Sequence, residues 1–246
     1  MSFRATDFEF HNRFWIFSLI FSAGFASYSL DPTNVAVALG RGDDLRVRAL
    51  FMFGALLAIL AGLIRSWATA YLKSSVVHDR GLHAEQLVAD GPYRYVRNPL
   101  YLGNSLLGCG LGLMASRLGF PILAIGILLF NYRLILREES ELLASQGDSF
   151  RHYLEAVPRL FPSFTPRVPA SGGHPNWRDG FNAESFIWGC AIGMAEFSVT
   201  LRLLDFWIIM GSGFLFYFLW AYLRPRTAKP AVDQNRTASS IADSVN

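Results

Sequence analysis

The sequence predicts an all-α integral membrane protein with about six transmembrane helices, and three observations predict it. First, 52% of the 246 residues are hydrophobic and only 17% are charged, giving a mean hydropathy of +0.29. A soluble domain of this size needs more charge to cover its surface. Second, the apolar residues gather into six stretches, at 14–30, 49–64, 100–116, 118–136, 186–204 and 206–223. Each comes near the roughly 20 helical residues that cross a hydrocarbon core about 30 Å thick. Third, the basic residues are sided. With the N-terminus inside, 17 of the 22 Lys and Arg residues fall on the cytoplasmic face. That bias places both termini in the cytoplasm, with the plasma (inner) membrane as the expected location. A formal net charge of +3 is too small to point to nucleic acid.

The first stretch is flanked by Arg4, Asp7, Glu9 and Arg13 and is followed by further spans, so it reads as an uncleaved helix and not a signal peptide. The second is short and is expected to end at the interface near Arg65 and Trp67. The third and fourth, joined only around Arg117, form a tight hairpin, as do the fifth and sixth around Asp205. Either hairpin is compatible with a re-entrant path as well as a spanning one. Gly108, Gly110 and Gly112 suit close helix–helix contact better than a cofactor loop. The expected organisation is therefore N-terminal helices over 1–81, a core over 82–162, a Pro-, Gly- and Ser-rich linker over 163–184, a C-terminal hairpin over 185–224 and a disordered tail over 225–246. Cys109 and Cys190 lie in apolar stretches and say nothing firm about redox compartment, and no metal site is expected.

Two polar clusters stand at the cytoplasmic ends of the third and fourth spans. The run Gly91-Pro-Tyr-Arg-Tyr-Val-Arg-Asn-Pro-Leu-Tyr-Leu-Gly103 packs Arg94, Arg97, Tyr93, Tyr95 and Tyr101 beside a helix start. Asn98-Pro99 has the residue types of an N-cap followed by a first helical position. A helix start so placed also aims backbone N–H groups at any nearby anion. The tyrosines and arginines are equally the residues of an aromatic belt and a positive-inside anchor, and their density is what marks the site. The second cluster is Arg137-Glu138-Glu139. Adjacent helical residues point about 100° apart, so one glutamate faces inward while the other pairs with Arg137 or meets water. Glu196, inside the fifth span, is a candidate functional carboxylate by default, although a place near an interface or a bond to a neighbouring helix gives it a structural role, which is the favoured reading.

These two clusters carry a resemblance. The Gly91–Gly103 run resembles the signature of the isoprenylcysteine carboxyl methyltransferase and phospholipid methyltransferase superfamily. Glu138-Glu139, then Leu142, Gly147, Phe150, Tyr153, Val157-Pro-Arg159 and Pro162, resemble the second half of that signature, in the right order, over about 82–162. The resemblance implies S-adenosylmethionine as cofactor and methyl transfer to an amphiphilic acceptor (a lipid, or a prenyl or isoprenylcysteine-like compound) at the cytoplasmic membrane face. By position it implies Glu85, Gln86, Leu87, Val88, Tyr93, Asn98, Pro99, Leu100, Tyr101 and Glu138 as cofactor-binding residues. Residue chemistry adds Arg94 or Arg97 for the cofactor's carboxylate, and Tyr93 or Tyr101 for packing on adenine or sulfonium.

The chain departs from the pattern in ways that bear on chemistry. Asn98 stands where relatives commonly have His, so no titrating base is expected there. Phe150 replaces a frequent Tyr, and Gln146 a frequent Phe. Where the carboxyl methyltransferases place a substrate-binding Arg before the glutamate pair, this chain has Leu134, leaving Arg133 and Arg137 as the substrate-binding candidates. Two other classes compete. A membrane reductase of the sterol-reductase type would bind NADPH in a similar helical arrangement. A transporter or other non-enzymatic module would spread polar residues along several spans, whereas here they gather at the ends.

Overall fold

The computed structural model describes residues 3–78 and 89–223, which form ten α-helices and no strand, apart from an isolated bridge between Asn34 and Ser116. The disordered-tail expectation and the residues Glu85, Gln86, Leu87 and Val88 lie outside the described residues.

Helices α1 (Asp7–His11) and α2 (Arg13–Ala26) open the chain, and the short α3 (Val35–Gly40) leads into α4 (Asp44–His78). Helix α4 has 35 residues and no proline, which at 1.5 Å per residue makes a rod about 50 Å long. It runs on past Arg65 and Trp67 where the sequence suggested an interfacial end: both residues continue the Ala- and Leu-rich helical pattern, and nothing there breaks it. After the signature loop come α5 (Pro99–Gly112) and α6 (Gly119–Gln146). Helix α6 continues ten residues beyond the expected end at Leu136, so the glutamate pair sits within it and not at its close. Gly147, with φ of +58°, breaks the path, and the amphipathic α7 (Asp148–Ala156) follows. Helices α8 (Trp177–Ala183), α9 (Ser185–Thr200) and α10 (Leu203–Leu223) complete the described chain.

Three helical stretches are long and apolar enough to cross a membrane: residues 44–72 of α4, α6 and α10. The chain is thus an integral membrane protein. Helices α2, α5 and α9 have 14, 14 and 16 residues. They reach roughly 21–24 Å, less than the hydrocarbon thickness of about 30 Å, so the six expected spans become three full-length and three shorter helices.

Helix α4 is the central post, against which α3, α5, α8 and α9 pack. Its inward face is built from Ala55, Ala58 and Ala61, all fully buried. Small residues let backbones approach, and at one point the approach is extreme: a Cβ on Gly110 would stand 2.6 Å from the Gly54 carbonyl oxygen, and one on Gly54 would stand 2.9 Å from that of Gly110. The expectation for the α5 glycines holds, since Gly108 faces Ile127 and Gly112 faces Phe120 of α6. Gly110→Val is therefore expected to wedge α4 from α5 at a cost of about 1–3 kcal/mol, read as a fall in thermal midpoint of the detergent-purified protein. A midpoint unchanged from the parent would show that the two backbones are not in contact.

The stretch read from sequence as a linker is tied along its length to the signature loop. Ser163 N donates to the Tyr95 carbonyl (2.9 Å), and Arg167 N donates to that of Arg94 (2.8 Å). Ser171 N and Gly173 N each donate to a different oxygen of buried Asp90 (2.8 Å each). Asn176 N then donates to the Ala70 carbonyl, and α8 lies against α4.

Candidate functional site

The signature loop begins at Gly91, whose φ of +56° and contact with the Tyr71 ring leave no room for a side chain. A single 3-10 turn (Gly91–Arg94) directs the chain to Arg97, whose backbone N–H donates to the Pro158 carbonyl (2.9 Å). Pro99 then starts α5 at the first helical position, as expected. Asn98 occupies the N-cap position but makes no side-chain cap bond. Its amide instead donates to Glu139 Oε1 (3.3 Å) and to the Arg159 carbonyl (3.1 Å). The residue that sequence assigned to helix capping thus joins the two halves of the signature.

The glutamates of α6 divide in an unexpected way. Glu138 presents its carboxylate to the Tyr101 hydroxyl, which donates at 2.6 Å. Glu139 is buried and held by Arg159 (2.9 Å), Arg97 (3.4 Å) and Asn98. It neither pairs with Arg137 nor meets water, as the sequence had suggested for one of the pair, because α7 and the following loop fold back and deliver Arg159. Burial pulls the Arg97 guanidinium below its usual value, an effect that the neighbouring Glu139 opposes. Tyr153 of α7 donates to the Tyr93 carbonyl (2.8 Å), and burial pushes both phenols up, out of reach of ionisation near neutral pH.

These groups wall a cavity of about 670 Å³, a size suited to a small-molecule ligand. Tyr93, Arg97, Asn98, Pro99, Leu100, Tyr101 and Glu138 all line it. Arg94 does not, since its Nε donates to the Val168 carbonyl of the stretch that follows Ser163 (2.9 Å). Arg133 and Arg137 also lie outside it. Arg133 binds Glu9 (2.7 Å), whose carboxyl is held down at about 2, chiefly by that bond, and Arg137 binds Asp7 and Glu141 (2.8 Å each). In the structure these two arginines, the substrate-binding candidates of the sequence, fasten the N-terminal segment to α6.

Sequence reasoning missed several wall residues. Arg65 of α4 donates to Glu184 (2.7 Å), to Asn104 Oδ1 (2.7 Å) and to the Leu100 carbonyl (3.2 Å), and Thr69 donates to the other oxygen of Glu184 (2.7 Å). The available signal was a basic residue and a threonine one turn apart on a helix that nothing terminates. Arg13, Gln146, Phe150 and Tyr153 are also among the lining residues left out of the sequence-based site. Glu196 is not among them; Thr200 of its own helix donates to it at 2.6 Å, where the sequence reading had looked to a neighbouring helix.

The structure thus holds an ion-pair-framed cavity of small-molecule size at the helix ends of an integral membrane protein. Residues 49–146 match the phospholipid methyltransferase family model. The match begins within α4, earlier than the sequence motifs, and takes in Arg65 and Asn104 but not Arg13 or Tyr153. The chain is 33% identical over 129 residues to the cobalt-zinc-cadmium resistance protein CzcN of Cupriavidus metallidurans, covering 52% of this chain and 54% of the relative. It is 32% identical over 115 residues to the nickel-cobalt-cadmium resistance protein NccN of Alcaligenes xylosoxydans xylosoxydans, covering 46% and 50%. The chain therefore spans about half the length of these curated relatives. No solved structure matches it significantly.

Proposed function

We propose that the protein is an S-adenosylmethionine-dependent methyltransferase acting on an amphiphilic acceptor at the cytoplasmic face of the membrane. The observation that carries this reading is the Tyr101–Glu138 bond (2.6 Å) on the wall of a cavity framed by both halves of the signature. The residues suit the cofactor. Glu138 has no cationic side-chain partner within ion-pair distance among the described residues, so its carboxylate is available to an ammonium or to ribose hydroxyls. Tyr93 and Tyr101 supply rings, and Phe14, Phe17 and Leu142 make one wall apolar.

Bound there, S-adenosylmethionine would supply an activated methyl group for in-line displacement. The protein's own part is positioning, which contributes on the order of 7–11 kcal/mol in well-oriented cases. Glu138 suits a peripheral grip: a carboxylate clasping the sulfonium itself would stabilise the ground state and slow transfer. Glu139, paired with both Arg97 and Arg159, holds the wall, and this cluster of one carboxylate and two guanidinium groups carries a net positive charge. Asn98 orients Glu139 and takes no proton, in keeping with a reaction that depends on alignment more than on acid–base chemistry.

The metal-resistance names belong to the relatives. Among the described residues, no group of three or more His, Cys, Asp or Glu side chains is placed to hold a metal ion. The chemistry proposed here is drawn from the cavity instead. The deciding experiment incubates the purified protein in lipid nanodiscs with S-adenosylmethionine or NADPH, then supplies membranes and S-adenosylmethionine labelled on its methyl group. Saturable S-adenosylmethionine binding and label in an organic-extractable fraction are expected. Saturable NADPH binding without S-adenosylmethionine binding would overturn the reading in favour of a reductase.

A further inference from the structure

Among the described residues three arginines line the cavity, and the protein itself occupies two of them. Arg65 is paired with Glu184 and Arg97 lies against Glu139. Arg13, at the first position of α2, has no carboxylate within ion-pair distance among the described residues; its guanidinium lies over the Phe10 ring, 4.7 Å from the centroid. Arg13 is exposed at the cavity's rim, beside Phe14 and Trp15, which are themselves 64% and 69% exposed on the apolar helix α2. A cation on the rim with an apolar flank matches an amphiphile with an anionic head: the head meets Arg13, and the chain lies along Phe14 and Phe17.

The geometry points to Arg13 as the residue that recognises the acceptor, by a carboxylate or phosphate on its head group, with Arg133 and Arg137 as positioning residues. This assignment rests on the methyltransferase reading of the cavity. The positioning is built in several contacts. Arg133 binds Glu9 and accepts the Ala5 N–H through its carbonyl (3.1 Å), while Arg137 binds Asp7. Phe10 is stacked between two guanidinium groups, Arg13 on one contact and Arg137 at 4.6 Å on another. A capping box between Thr6 and Glu9 stiffens the same turn. The arginines of α6 therefore act on the acceptor through the N-terminal segment, which carries a residue outside the family-matched stretch to the cavity mouth.

The rival is that Arg13 grips the cofactor's own carboxylate, and the test separates the two. Binding of labelled dodecyl phosphate, dodecanoate and dodecyltrimethylammonium is measured on the full chain in nanodiscs of neutral lipid, in parallel with S-adenosylmethionine, for wild type, Arg13→Gln, Arg13→Lys, Arg137→Gln and, as a remote control, Arg46→Gln. Wild type is expected to prefer the anionic probes. Arg13→Gln should weaken them about tenfold or more while leaving S-adenosylmethionine affinity within about twofold, since a charge-assisted bond is worth at least that factor. Arg13→Lys should restore part of the loss, Arg137→Gln should give a smaller loss of the same probes, and Arg46→Gln should give none. Inorganic phosphate should fail to displace either probe, which separates a lipid-borne head from a soluble anion. Phosphate displacement, preference for the cationic probe, or unchanged anionic binding in Arg13→Gln would overturn the assignment. So would an equal loss of S-adenosylmethionine binding, which assigns Arg13 to the cofactor. Wild-type protein that binds the anionic probes but no S-adenosylmethionine would leave the anion site standing and sink the methyltransferase reading alone.

Discussion

Glu139→Ala is expected to destabilise the protein by about 3–5 kcal/mol, the usual cost of removing one partner from a buried ion pair. Two guanidinium groups, Arg97 and Arg159, and the Asn98 amide converge on this carboxylate, and no other carboxylate among the described residues pairs with Arg97, whose remaining bond is to the Leu154 carbonyl (2.9 Å). The damage should be widespread, because Arg159 arrives from the loop after α7 and Arg97 from the loop before α5. Loss of the anion between them separates the two halves of the signature. A fall in thermal midpoint of more than about 6 °C is the expected reading in detergent. Glu139→Gln should cost less, since its amide oxygen still accepts from Asn98 and Arg159. If both variants melt with the parent, the carboxylate is not the keystone described here.

Glu138→Gln and Tyr101→Phe carry the opposite expectation. Glu138 faces the cavity and its only described side-chain partner is the Tyr101 hydroxyl, so neither change should cost much stability. Each should instead weaken S-adenosylmethionine binding, by about 10–150-fold for the glutamate, the worth of a hydrogen bond to a charged group at 1.5–3 kcal/mol. The tyrosine variant should give a smaller loss, because it frees the carboxylate's orientation without removing its charge. The double variant should be little worse than Glu138→Gln alone, because the two residues share one interaction. Titration calorimetry in nanodiscs measures all three. Unchanged affinity in both single variants would move the cofactor out of this cavity.

Much of this arrangement was legible in the chain. The membrane class follows from composition, and the meeting of the Asn98–Tyr101 region with Glu138 was readable because two ordered motifs flank one hairpin. What escaped was long-range. Arg65 read as an interfacial anchor because hydropathy falls there, whereas helix α4 continues and turns that residue onto Glu184, which lies 119 positions away. The fates of Arg133 and Arg137 depended on the N-terminal carboxylates Glu9 and Asp7, which no local pattern links to α6. Asn98 was read by its N-cap propensity, and tertiary partners won: Glu139 and Arg159 offer its amide charged and carbonyl acceptors that a helix start does not. The stretch 163–176 looked like a connector because Pro, Gly and Ser give it no periodicity. Its bonds are made by backbone N–H groups, which composition does not reveal.

That stretch bears on how such a protein comes to be assembled and how it can be cut. Asp90 holds two amides synthesised some eighty residues after it, and Arg94 and Tyr95 await partners beyond position 160. During synthesis the signature loop therefore leaves the ribosome without its outer bracing and gains it only when the chain returns from α7. A fragment trimmed to the family-matched 49–146 stretch would keep the glutamates and the tyrosine yet lose this brace, together with Arg159. The family-matched stretch and the stretch that braces it are, in this protein, different lengths of chain.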